Sequence, residues 1–130
     1  MEEVLNFLRK AGTYYLGTVE NESPDIRPFG TINIYDGKMY IQTGKKKNVY
    51  KQIKNNPKIN ICAMCSNEWI RIYATAVEDE RVEAEQAMLD AYPNLQGMYK
   101  AGDGNNVVFY LENVTAKISA FNKNDREIKF

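Results

Sequence analysis

The sequence contains no histidine, which excludes Ser-His-Asp and Cys-His catalysis, histidine-ligated zinc and any imidazole acid or base. Cysteine is nearly as scarce, with Cys62 and Cys65 the only two in 130 residues. Their C-x-x-C spacing falls in a segment that reads as a strand, where positions three apart point to opposite faces, so the sulfurs are not expected to meet. The further nitrogen or sulfur ligands that a zinc site needs are missing, and both cysteines read as small structural hydrophobes. No uncharged apolar run approaches the roughly 18–20 residues of a membrane span. The acidic start Met1-Glu2-Glu3, with Arg9 and Lys10 close behind, does not resemble a secretory signal. Net charge is absent too: 17 basic and 17 acidic residues cancel, so the broad basic field that nucleic acid or acidic membranes select is missing. The chain reads as cytoplasmic, with no nucleic-acid or membrane partner, and the Asn113-Val114-Thr115 sequon as an accident of composition.

What is present is an ordinary globular balance, 44% apolar and 26% charged, in a length that fits one domain over residues 1–130. A chain of this size buries around two-thirds of its unfolded surface, enough for a core without metal or disulfide staples. Residues 2–12 read as a short amphipathic helix with Val4, Leu5 and Leu8 inward and Gly12 as C-cap. Strands are expected at 14–19, 26–35 and 38–43, the last two joined by the Asp36-Gly37 hairpin signal. A helix over 47–55 is stopped by Asn55-Asn56-Pro57. Two more strands follow at 58–64 and 68–77, then a helix over 80–91 and one more helical turn at 94–99. Residues 107–121 alternate as one long strand or two, and the tail 122–130 is polar and weakly determined. Strands at hairpin spacing with inserted helices predict a mainly β, six-stranded antiparallel barrel with peripheral helices, in which closure removes the exposed edges.

Three features ask for more than folding. Arg27-Pro28-Phe29 interrupts an apolar strand. Thr43-Gly44-Lys45-Lys46-Lys47-Asn48-Val49-Tyr50-Lys51-Gln52 runs from a strand end into a helix start, where free N–H groups and the positive dipole end meet lysines and a hydroxyl, a candidate anion pocket. Lys47 and Lys51 share a helix face, and Arg27 can add a bidentate fork if the strands bring it across. The spacing alone also fits a solvated lysine cluster, and it is not a P-loop. Trp69 and Arg71 share a strand face, which suits the edge of an aromatic, anionic ligand.

Taken in order, Tyr14-Tyr15-Leu16-Gly17-Thr18-Val19, Asp25-Ile26-Arg27-Pro28-Phe29-Gly30, Tyr40-Ile41-Gln42-Thr43-Gly44, Lys47 to Ile53, Asn55-Asn56-Pro57-Lys58-Ile59 and Trp69-Ile70-Arg71 resemble the pyridoxamine 5'-phosphate oxidase-related family of FMN-binding split β-barrels. The resemblance runs from residue 1 to about residue 121. It implies a homodimer with FMN in clefts at the subunit interface. Arg27 matches the arginine that reaches the FMN phosphate, Pro28 and Phe29 the backbone along the isoalloxazine, and Thr43 the strand end near the flavin. Lys47 and Lys51, with Lys46 in the same turn, match the basic turn and helix that hold the phosphate, and Gln52 is a weaker match. Trp69 and Arg71 match a strand that approaches the cofactor from the partner subunit. The Arg-x-His that holds pyridoxal in the true oxidases is absent, as is the histidine that nitroimidazole-resistance relatives place beside the flavin. The expected role is therefore an FMN-dependent oxidoreductase with a small electron donor and acceptor, not a pyridoxamine 5'-phosphate oxidase. The alternative is a flavin-holding module for storage or redox sensing, without turnover.

Overall fold

Alternating strand-forming runs dominate the chain, and the structure, a computed structural model describing residues 1–130, arranges them as eight antiparallel strands with three α-helices. Helix α1 (Glu2–Ala11) carries Glu2 and Glu3 in its first turn and Arg9 and Lys10 in its last, the charge order that complements the helix dipole. It buries Val4, Leu5 and Leu8, and Gly12 closes it with φ 80° and an N–H donated to the Leu8 carbonyl.

Strands β1 (Tyr14–Glu20) and β2 (Ser23–Phe29) form a hairpin whose loop residues, Asn21 and Glu22, both have positive φ, the twist that a two-residue connection requires. The second hairpin joins β3 (Asn33–Tyr35) and β4 (Lys38–Gly44) through Asp36 and Gly37, again at positive φ. Helix α2 (Asn48–Asn55), β5 (Lys58–Cys65), β6 (Glu68–Asp79) and α3 (Val82–Ala91) follow, then a 3-10 turn over Pro93–Gly97. The long β7 (Asn106–Ala120) pairs with β6 along most of its length. The register between them shifts beyond Tyr73, where Asn113 sits at φ 53°, a bulge at a residue type that tolerates this conformation.

The strand order is β2-β1-β5-β6-β7-β4-β3. It wraps one apolar cluster that includes Leu8, Tyr14, Leu16, Ile41, Ile61, Ile70, Phe109 and Ile118. A smaller cluster of Tyr40, Ala84, Met88 and Val108 lies between the opposite face of β4–β7 and α3. No helix is long and apolar enough to cross a membrane.

Three expectations need correction. Residues 26–35 are not one strand: β2 ends at Phe29, and Gly30-Thr31-Ile32 carries the chain to β3. The strand count is eight instead of six, because β3 stands alone and the tail is ordered. Its strand β8 (Arg126–Lys129) pairs with residues 115–118 of β7, and Val114 and Phe130 exchange both backbone hydrogen bonds. The barrel also stays open, since β2 and β3 terminate the sheet and do not pair with each other. The outer edge of β2 holds Pro24 and Pro28, residues that a strand tolerates only at an edge. Across the gap side chains stand in for a ladder: the Thr31 hydroxyl donates to the Gln42 carbonyl and accepts from the Gln42 N–H, and Tyr14 donates to the Thr31 carbonyl.

Candidate functional site

The break between β2 and β3 opens a cleft of about 290 Å³. Pro28, Phe29, Gly30 and Thr31 form one wall, Gln42 and Thr43 at the end of β4 another, and Lys47 stands at the mouth. Tyr92, Asn94, Leu95, Met98 and Tyr99 roof it. No carboxylate, histidine or cysteine lines it.

The roof and the helix that leads into it are both fastened. The Tyr92 hydroxyl donates to the Ile32 carbonyl at 3.0 Å and accepts from the Ile32 N–H at 3.1 Å. At the start of α3, Arg81 forks onto Asp79, with Nη2 2.9 Å from Oδ2, and reaches Asp36 at 3.2 Å. Tyr40 donates to the same Asp79 carboxylate at 2.7 Å. The Arg81 bonds, with that of Tyr40, hold the Asp79 carboxyl down at about 2, whereas burial first and Asp79 second push the Tyr40 phenol up to about 12. Tyr99 lies directly over Gly44, where a Cβ would meet its hydroxyl at 3.0 Å. Only glycine permits that approach without displacing the ring.

Lys47 is the N-cap residue of α2, whose first turn has no side-chain cap and no acidic residue. Its N–H groups and positive dipole end are thus available to an anion. The sequence therefore brings Pro28, Phe29, Thr43 and Lys47 to one place.

Arg27 points to the other face of β2 from Pro28. Its guanidinium bonds the Leu16 carbonyl at 3.1 Å, the Thr18 hydroxyl at 2.8 Å, Asp25 Oδ2 at 3.0 Å and Gln52 Oε1 at 2.7 Å. Gln52 also bonds the Thr18 hydroxyl and donates to Glu20 at 2.7 Å and to Asp25 at 3.1 Å. The Gln52 bond foremost, and the Arg27 charge, keep the Asp25 carboxyl below its usual range. Arg27 and Gln52 thus meet, locking β2 to α2 in a junction whose further members, Thr18, Glu20 and Asp25, the sequence reading did not single out.

The other candidates lie apart within one chain. Lys51 borders a separate hollow with Gln52, Glu20 and Glu22. Lys46 is in the exposed turn, its backbone N–H donating to Asn105 Oδ1. Lys45 is committed to Glu78 at 3.5 Å, as is Lys54 at 3.0 Å. Trp69 and Arg71 occupy the outer face of β6. Trp69 packs on Phe121 with ring centroids 5.2 Å apart, and Arg71 borders a shallow basin with Tyr15, Ile26, Cys62 and Tyr73. Cys62 faces outward, Cys65 is half-buried, and both are free thiols. No cluster of three potential metal ligands exists.

The family model for pyridoxamine 5'-phosphate oxidase matches residues 1–116. The chain belongs to that family. No curated protein sequence matches it. Among solved structures, a NimC/NimA family protein from Clostridium acetobutylicum is 34% identical with a TM-score of 0.96, covering 100% of this chain and 92% of its own. General Stress Protein 26 from Bacillus anthracis, 16% identical with a TM-score of 0.71 over 98% of this chain and 97% of its own, shares the fold. So does a structure named F420 reductase, 16% identical with a TM-score of 0.59 over 82% of this chain and 89% of its own. As a pyridoxamine 5'-phosphate oxidase-family chain, the protein has the split-barrel architecture.

Proposed function

We propose that this chain binds FMN in the cleft between β2, β4 and the roof that follows α3, and that it serves as a flavin-dependent oxidoreductase for a small molecule. The observation that carries the reading is the union of a flat apolar slot with a cationic end: Pro28, Phe29, Leu95 and Met98 offer ring contact, while Lys47 and the open α2 N-terminus offer phosphate contact. Gly44 lets the Tyr99 ring sit close against the end of β4, which keeps the roof over the slot. The family match supports a flavin, and the name of the F420 reductase neighbour makes a deazaflavin the nearest variant to compare. Bound flavin supplies hydride or electron transfer itself, which suits a protein without imidazole. The residues of this chain bind the phosphate, orient the ring and shield it from water.

A second copy completes the site in this reading. Tyr15, Ile26, Met64, Tyr73 and Phe121 are exposed on the outer sheet face around Trp69 and Arg71, an apolar surface larger than scattered single residues. A homodimer through that face covers it and carries Trp69 and Arg71 toward the neighbouring cleft. Reconstitution with FMN, gel filtration and an absorption spectrum test the proposal. A retained flavin band is expected, and colourless protein overturns it.

One observation favours turnover-free flavin holding as the second reading. The cleft has no carboxylate, and its Tyr92 hydroxyl is tied to Ile32, leaving few groups for proton transfer. Stopped-flow mixing with NADH, NADPH and other reductants separates the two: fast bleaching of the flavin supports the enzyme, and none supports the module.

A further inference from the structure

Two buried amides stand side by side at the wall of the cleft. Gln42 on β4 is 6% exposed and Asn106 at the start of β7 is 2% exposed. Both share the sheet face that α3 covers, because Tyr40 and Val108, two positions along from each, pack under α3. The Gln42 amide nitrogen donates to the Thr43 carbonyl at 3.1 Å and to Asn106 Oδ1 at 2.9 Å. A backbone carbonyl can only accept, so Thr43 dictates which end of the Gln42 amide faces it. Asn106 Oδ1 takes the remaining Gln42 N–H, so Thr43 sets which end of the amide carries nitrogen and Asn106 holds it there from the second side.

Two atoms are left over. Gln42 Oε1 accepts nothing from the protein, its amide nitrogen making both of the bonds just described. Asn106 Nδ2 is the one buried side-chain nitrogen or oxygen without a partner. Orphaned buried N–H groups are costly and uncommon, and a missing water or ligand is a usual reason. Gln42 lines the cleft beside Thr43. An unused acceptor on a residue that lines the cleft complements a ring edge that carries an N–H.

We propose that Gln42, positioned by Asn106, reads the imide edge of a heteroaromatic ligand in the cleft, which for a flavin is the pyrimidinedione edge. The proposal rests on the flavin reading and goes beyond it by naming the edge and the residues that select it. Gln42 Oε1 accepts the ring N–H. Asn106 acts through Gln42, holding the amide nitrogen together with the Thr43 carbonyl so that Oε1 is left free for the ligand.

The test titrates FMN and N3-methylated FMN, which lacks the ring N–H, against the wild type, Gln42→Met and Asn106→Leu, following flavin fluorescence and the thermal midpoint. The wild type should bind FMN about tenfold more tightly than the methylated analogue, the value of one hydrogen bond. Gln42→Met, of similar volume, should bind both alike, and Asn106→Leu should narrow the ratio. An Asn106 of purely structural role would move the midpoint and leave the ratio unchanged, which overturns its positioning role. If Asn106→Leu does not fold, Gln42→Met decides the matter. A wild-type ratio near one, or a ratio that persists in Gln42→Met as a mere steric effect, overturns the imide reading while FMN binding stands. No FMN binding by the wild type removes the flavin reading, and this proposal with it.

Discussion

Arg27 on β2 and Gln52 on α2 are joined at 2.7 Å, guanidinium to amide oxygen, so an edge strand and the helix whose N-terminus borders the cleft move as one piece. The junction fixes where Lys47 and the free N–H groups of α2 stand relative to Pro28 and Phe29.

That arrangement sorts the basic residues by their effect on phosphate. Lys47→Ala should weaken FMN binding by roughly one to two decades while leaving riboflavin nearly untouched, since a charge-assisted contact is worth about 1.5–3 kcal/mol. Arg27→Ala should show a weaker form of this preference, by releasing α2 and with it Lys47, together with a loss of fold stability because Gln52, Thr18 and Asp25 lose a shared partner. Lys51→Ala should do less, for its side chain borders the hollow beside Glu20 and Glu22. Calorimetric titration with both ligands measures this, and equal losses for FMN and riboflavin would place the phosphate elsewhere.

The outer sheet face makes a separate prediction. Ile26 is 66% exposed on β2, and Ile26→Lys should convert a dimer to a monomer and loosen FMN, read by light scattering and flavin fluorescence. A wild type that is already monomeric refutes the shared-cleft arrangement.

Tyr92→Phe should unfasten the roof. It deletes the only side-chain bonds to Ile32 N–H and carbonyl from the α3 side, costing about 1–2 kcal/mol. Denaturant unfolding gives the cost, and faster exchange of the Ile32 amide shows the location. Unchanged exchange would mean that packing, and not this hydroxyl, holds the roof.

The Tyr40–Asp79–Arg81 group contributes to both limbs of the pH profile. Asp79 titrates at about 2 in the fold against 3.8 ordinarily, so the folded state binds fewer protons between these values. Its contribution is complete above about pH 4 and lost as pH falls through 2. Tyr40 titrates at about 12 against 10.0, so stability also declines as pH rises from 10 through 12. Asp79→Asn should flatten the acid limb and Tyr40→Phe the alkaline one in thermal melts across pH. Limbs that do not respond to these substitutions would show that other groups dominate.

Much of this architecture was legible in the residues. The helix of Val4, Leu5 and Leu8, the Asp36-Gly37 hairpin and the alternation of β5 and β6 follow from side-chain period and turn chemistry, which act locally. The break at Gly30-Thr31-Ile32 was hidden because its residues continue the alternation of β2. Only the tertiary choice of partners, β1 for β2 and β4 for β3, reveals it. Strand β8 was hidden for a similar reason: a polar tail becomes a strand when β7 offers it a free edge. In the cleft, Pro28, Phe29, Thr43 and Lys47 were found from sequence. Tyr92 and Tyr99 were not, since roofing a site so far away along the chain leaves no local mark. Gln42 and Asn106 did leave one, as amides at positions whose strand neighbours Tyr40 and Val108 are apolar and buried.

Thr31 performs the work of a strand with a single hydroxyl, gripping both the N–H and the carbonyl of Gln42. Because that grip is not part of a hydrogen-bonded ladder, substitutions at 30–32 or in the roof can reshape the cavity without shifting the register of any strand. The loop at 30–32 and the roof can therefore change shape independently of the strand ladder that holds the core.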